Sequence, residues 1–264
     1  MSCWAVASPC TVRCAAHRVP PVAAAVRARR CAALAGALLR GLASGPDLAC
    51  GEVLRTQARG VVRALGATLE APASVSGPRR PGEAGSLIVS DHISWLDALA
   101  LLAVEPATAL AKREVAQWPL FGPLAERAGV QFIDRDRFRT LPDTVAQVAD
   151  VLRGGRSVLV FPQGTTWCTE SGSGFRRALF QAAIDAEAPV RPVTVSYRQD
   201  GEPSTVAAFL GDDTFAASLH RVISARNLAV RVTPHPALHP APDRRALAAA
   251  AHAAIRGTRA PAHP

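Results

Sequence analysis

Lysine is nearly missing from this 264-residue chain: Lys112 stands alone among 30 basic residues, so the net charge of +9 is carried by arginine. Beside the heavy alanine load this marks a coding bias toward Ala and Arg, and part of the charge is ordinary solvated surface. Aromatic residues are also scarce, with a single tyrosine and no basic stretch interleaved with aromatics. Such stretches stack bases, so nucleic acid is not an expected partner. No run of about 20 predominantly apolar residues occurs, which excludes a clean transmembrane helix. The six cysteines match no zinc spacing, and five lie within the first fifty residues. Without a recognisable secretory signal they read as reduced thiols of a cytoplasmic protein, with no metal expected. A Gly-x-Ser-x-Gly elbow is missing too, which removes the usual serine acyl-enzyme. No internal repeat is apparent.

What is present begins with a basic leader. Residues 1–46 contain no acid but carry Arg13, Arg18, Arg27, Arg29, Arg30 and Arg40. Residues 31–44 are their most apolar part. The preferred reading is an interfacial helix, arginines at anionic headgroups and Leu and Ala dipping inward. A cleaved Arg-rich targeting peptide and a merely soluble leader are the alternatives. The apolar content of 49% is ample for a core. The basic balance favours an anionic partner, either a membrane surface or an acidic carrier protein.

Patterning divides the chain into a segment 1–70 with membrane-associating helices, a Pro/Gly/Ser linker 71–85, an α/β domain 86–240, and a closing helix and tail 241–264. Helices are predicted over 52–66, 95–104, 118–128, 141–152, 175–186, 215–224 and 243–255. Strands are predicted over 107–111, 130–133, 157–161, 190–197, 206–210 and 228–232, following a first short one ending near Val89. Alternation of the two argues one α/β domain with a mostly parallel central sheet flanked by helices. Sites in such sheets gather beyond the carboxyl ends of the strands.

Three polar clusters fall there, after Val89, Ile133 and Phe161. The first, Ser90-Asp91-His92-Ile93-Ser94-Trp95-Leu96-Asp97, delivers a histidine with an aspartate five positions on. In one continuous helix that spacing is about 500° of rotation, and the side chains would diverge by roughly 140°. They meet only if His92 lies in the turn and Asp97 inside a helix starting near Ser94. Ser90, Asp91 and Ser94 are all suitable caps for it. Imidazole exchanges a proton near neutral pH, and a carboxylate can hold its orientation. The competing reading is a helix cap beside a surface histidine.

Four ordered blocks carry a family resemblance: Asp91-His92-Ile93-Ser94-Trp95-Leu96-Asp97; Phe132-Ile133-Asp134-Arg135; Phe161-Pro162-Gln163-Gly164-Thr165-Thr166; and Val190-Arg191-Pro192-Val193. Together they resemble the lysophospholipid acyltransferases, the 1-acylglycerol-3-phosphate acyltransferase (PlsC-like) family. Lys112-Arg113-Glu114, with Trp118-Pro119, Gly122 and Gly129, is similar to that family's approach to its second block.

The resemblance implies transfer of a fatty acyl group from a thioester, on coenzyme A or acyl carrier protein, to the free hydroxyl of a lysolipid. It needs no cofactor, and it places the enzyme at the cytoplasmic face of the membrane, peripheral or monotopic. His92 is then the general base and Asp97 its orienter. Backbone N–H groups at Gly164 and Thr165 are candidates for the oxyanion, the alternative being an ordinary tight turn. Arg135 stands where the second block puts a cation for the headgroup, with a surface ion pair to Asp134 or Asp136 as the rival role. Lys112 is a candidate second charge. Arg191 and Pro192 are assigned to the acyl channel wall or to structure. Cys168, beside the third block, lacks a group to lower its pKa and is not expected to be a nucleophile.

The third block departs from the family pattern, with Gln163 for the usual Glu and Thr166 for the following Arg. Gln163, grouped with Gly164, Thr165 and Thr166 as a substrate-binding candidate, keeps hydrogen bonding without charge. Thr166 weakens the case for a phosphate monoester unless Arg176 and Arg177 fold back to replace the cation. The first-choice acceptor is 1-acyl-sn-glycerol-3-phosphate, giving phosphatidic acid, and a lyso-ornithine lipid is the alternative. Two rivals keep the fold without this chemistry: a membrane lipid-binding protein and a hydrolase of acyl thioesters.

Overall fold

The computed structural model describes residues 8–15, 19–77, 82–118, 121–133, 140–168 and 173–257. A 3-10 turn at Val12–Ala15 is followed by two helices, α1 (Ala24–Ala43) and α2 (Gly51–Ala64), and by strand β1 (Thr68–Glu70). Next come β2 (Leu87–Ser90), α3 (Trp95–Leu102), β3 (Thr108–Lys112), α4 (Phe121–Arg127), β4 (Gln131–Ile133), α5 (Leu141–Arg153), β5 (Val158–Val160) and α6 (Ala178–Asp185). The chain then runs through β6 (Val190–Gln199), β7 (Glu202–Pro203), α7 (Phe215–Ser224), β8 (Leu228–Pro234) and α8 (Arg244–Arg256).

The strand order is β1-β8-β6-β2-β5-β3-β4, with β7 hairpinned onto β6. Along that path β6 and β8 run antiparallel and every other pairing is parallel, in line with the mostly parallel sheet expected. Strand β2 is buried throughout and lies between β6 and β5. Its residues alternate between the two faces, Ile88 joining one apolar core and Leu87 and Val89 the other. A run of apolar residues buried on both faces is what a central parallel strand requires. After β2 the chain crosses beyond β5 to form β3, and after β5 it returns to β6 on the opposite side. The carboxyl ends of β2 and β5 therefore open beside the point where the winding reverses, the position at which open sheets form crevices.

Helices α1 and α2 contribute Leu34, Leu38, Leu54, Val61 and Leu65 to the same core as Leu96 and Leu101 of α3. β1 pairs in parallel with β8, so the segment after α2 enters the central sheet. Among the described residues no helix is long and apolar enough to cross a membrane.

Residues 206–210, expected as a strand, form a buried irregular segment. Side chains meet its backbone demand where a ladder would have done so. Arg221 donates to the carbonyls of Val206 at 2.9 Å and Ala208 at 2.6 Å. Phe209 N donates to Ile93 O at 2.9 Å. β1 and β7, too short for a sequence pattern, were not anticipated. Pro119, expected to start the helix before Gly129, lies outside the described residues.

Candidate active site

The first turn of α3 makes the site. Ser94 caps it, its hydroxyl accepting from Leu96 N, while Asp97 three residues on accepts from Ser94 N. This reciprocal box satisfies backbone donors that a helix start leaves open. It also fixes Asp97 inside the helix and His92 in the turn, the arrangement that the spacing demands. Nδ1 of His92 stands 2.9 Å from Oδ2 of Asp97. The same oxygen accepts from Ile93 N at 2.7 Å and Ser94 N at 2.8 Å, and Oδ1 accepts from the hydroxyl of Tyr197. All four contacts are with donors if Nδ1 carries the hydrogen, as a carboxylate acceptor requires. That tautomer leaves Nε2 of His92 as an acceptor.

Asp97 is fully buried, whereas 21% of the His92 side chain is exposed. The imidazole lies on the ring of Phe161 at the end of β5, with centroids 4.0 Å apart and planes 17° from parallel. The third block also clamps the His92 backbone: Gln163 Oε1 accepts from His92 N at 3.0 Å, and Trp167 N donates to His92 O at 2.8 Å. Burial pushes the Tyr197 hydroxyl well above its ordinary pKa, and the neighbouring Asp97 charge adds to the shift. The phenol therefore stays a donor.

His92 lines a cavity of about 430 Å³. Its walls are mostly apolar, including Leu38 of α1, Ala58 of α2, Leu99 of α3, Trp118, Phe121 of α4 and Phe209. Lys112, Glu114, Thr165 and Thr166 are among its polar lining residues. An apolar cleft with a few placed polar groups suits a lipid chain bearing one reactive end.

The expected residues separate into groups. His92 and Asp97 are in direct contact, and Lys112, Thr165 and Thr166 share the cavity with His92. Thr166 is held by its hydroxyl, which donates to Phe209 O. Gln163 is 3% exposed and outside the cavity lining, with Nε2 3.5 Å from Ser173 O. Gly164 sits at φ +80°, a conformation that favours glycine, and its N–H donates to Phe161 O at 3.2 Å to close the turn. Arg191 and Pro192 lie in β6 opposite Ile88 and Val89 and do not line the cavity. Arg135 lies outside the described residues.

One contribution was not legible as a site feature. Tyr197 looked like the end of an apolar strand; only the sheet brings β6 alongside the loop after β2. Arg176 does fold back on the third block: a Cβ placed on Gly164 would stand 3.3 Å from its Nε and 3.5 Å from its Cζ.

The family model described as Acyltransferase matches residues 73–196. The chain is 40% identical over 209 residues to the lyso-ornithine lipid O-acyltransferase of Pseudomonas aeruginosa, an overlap of 75% of this chain and 77% of that protein. It is 34% identical over 200 residues to the 1-acyl-sn-glycerol-3-phosphate acyltransferase of Neisseria meningitidis, covering 75% and 76%. The crystal structure of the 1-acyl-sn-glycerophosphate acyltransferase PlsC from Thermotoga maritima matches with a TM-score of 0.56 over 78% of this chain and 77% of that one. At 14% identity that match speaks for the fold alone.

Proposed function

The chain belongs to the acyltransferase family of the lysolipid O-acyltransferases, and from that premise we propose that it moves a fatty acyl group from a thioester to a lysolipid hydroxyl with His92 as general base. The observation that carries this reading is the His92–Asp97 pair at an apolar cavity of about 430 Å³. A binding protein has no use for an imidazole oriented by a buried carboxylate.

In this reading the acceptor hydroxyl gives its proton to Nε2 of His92 as its oxygen attacks the thioester carbonyl. The imidazolium is stabilised by Asp97 through Nδ1–H. The oxyanion is met by the N–H of Thr165, since the N–H of Gly164 closes the turn. The intermediate collapses by breaking the carbon–sulfur bond. The departing thiolate takes the proton back from Nε2, leaving a new ester, a free thiol and His92 in its starting form. The acyl chain being transferred occupies the apolar cavity.

For the acceptor, Lys112 and Glu114 put opposite charges on the cavity lining, which suits a zwitterionic headgroup. With Thr166 in place of a cation, and with the Pseudomonas relative, this favours a lyso-ornithine lipid. Arg176 against Gly164 favours a second reading, 1-acyl-sn-glycerol-3-phosphate, because a guanidinium can bind two phosphate oxygens. The donor is coenzyme A- or carrier-bound, and the basic surface suits an acidic carrier protein. Arg29, Ala32, Leu39 and Arg40 are exposed on α1, a face suited to peripheral association with the cytoplasmic side of a membrane.

The test is transfer of labelled acyl groups from both donors to both lysolipids, with products resolved by mass. Ornithine lipid forming faster than phosphatidic acid is the expected result, and the opposite order selects the second reading. Free fatty acid released without any acceptor would mark a hydrolase. No product from any pairing would sink the enzyme reading.

A further inference from the structure

Three of the six cysteines, Cys10, Cys14 and Cys168, bring their Sγ atoms within 4.8 Å of one another. Two come from the segment around the turn Val12–Ala15, and the third from the loop directly after the third block. Cys10 and Cys168 are buried, with sulfurs 3.2 Å apart, and Cys14 is half-buried. None of them lines the cavity at His92, and acyl transfer uses none of them.

We propose that Cys10, Cys14 and Cys168 form a three-thiolate site for one thiophilic metal ion of the zinc class, its fourth position open to water or a further ligand. Thiolates about 2.3 Å from a tetrahedral zinc place their sulfurs about 3.8 Å apart. The separations here, from 3.2 Å up to 4.8 Å, bracket that value, so small side-chain shifts bring all three into range. A disulfide uses two sulfurs; a third, close to both, gives one ion three donors. The sequence hid the site because Cys14 and Cys168 lie 154 positions apart.

A further observation fits. The buried indole N–H of Trp167, in the same small cluster as Cys10 and Cys168, has no hydrogen-bond partner among the described residues. Metal-bound thiolates take such donors in their outer shell. Binding a divalent ion releases three protons in exchange for three metal–sulfur bonds. The ion would pin the segment carrying Cys10 and Cys14 to the loop whose Trp167 N–H holds His92 O.

The full chain, kept reduced with a phosphine and stripped by a chelator, is titrated with Co²⁺ and then Zn²⁺. One equivalent of Co²⁺ should produce sulfur-to-cobalt charge-transfer absorption, one equivalent of Zn²⁺ should bleach it, and Zn²⁺ should raise the melting temperature. Cys14→Ser, at the least buried ligand, should weaken binding by at least about 100-fold, beyond the range known for outer-shell changes. The double variant Cys31→Ser/Cys50→Ser, at exposed thiols, should bind normally. Absence of the charge-transfer band in the wild-type chain overturns the site. So does an unchanged band in a Cys14→Ser protein of native circular dichroism, or a Cys10–Cys168 disulfide recovered from protein isolated with its thiols blocked.

Discussion

Tyr197 donates its hydroxyl hydrogen to Oδ1 of Asp97, whose other oxygen holds Nδ1 of His92. A strand on one side of β2 thus steadies the carboxylate that aims the imidazole in the loop after β2. Replacing Tyr197 by Phe leaves Oδ1 of a fully buried carboxylate one donor short, which costs about 1–3 kcal/mol of stability. Steady-state kinetics on Tyr197→Phe should show kcat down by about tenfold, roughly 1.4 kcal/mol of lost orientation, with KM nearly unchanged. Wild-type kcat in a folded variant would show that the tyrosine is structural only.

The same residue predicts an alkaline signature. Tyr197 is the single tyrosine, and its folded-state pKa lies well above the ordinary 10.0. A raised folded pKa gives stability that is full below the unfolded value and is lost as pH rises through the folded value. Between those two values only the unfolded chain ionises. Tyrosinate absorbance should therefore appear together with loss of circular dichroism, above pH 10. A phenolate signal in a chain that is still folded near pH 10 would contradict the buried contact.

Gln163 departs from the family pattern noted in its block, and the structure gives it a backbone task. Its Oε1 accepts from His92 N at 3.0 Å. Gln163→Glu keeps an acceptor there and should retain most transfer activity. Gln163→Leu leaves the N–H unpaired and should lose about 1–3 kcal/mol of stability and much of the activity. Equal transfer rates for Leu and Gln would remove this positioning role.

If the acyl chain lies in the cavity at His92, the wall that α1 and α2 supply sets its length. Ala58 is 3% exposed and lines it. Ala58→Phe should shift preference toward shorter acyl thioesters in a competition assay, at about 1–3 kcal/mol of overpacking. An unchanged chain-length profile would place the acyl chain elsewhere.

Much of this was readable in the residues. The spacing of His92 and Asp97, with Ser94 as cap, specified a turn followed by a helix, because no other local geometry lets the two side chains meet. Apolar runs bounded by Gly and polar clusters located β2, β5 and β6. What stayed hidden depended on long-range placement. Tyr197 reaches Asp97 across the sheet, a separation of 100 residues. Residues 206–210 have strand-like composition, yet Arg221 supplies donors that a neighbouring strand would otherwise provide. Gln163, a substrate-binding candidate, turns its side-chain carbonyl toward the His92 backbone, a direction that composition does not encode. Helix α1 was legible as apolar and basic, but not the use of Leu34 and Leu38 in the core beside α3.

The most direct measurement compares acyl transfer by the intact chain and by His92→Ala, alongside vesicle binding and melting temperature. A general base supplies about 10²–10⁴-fold in rate, so transfer should fall at least that far while binding and melting hold. A His92→Ala protein that transfers acyl groups as fast as the intact chain would contradict the assignment of His92 as the base.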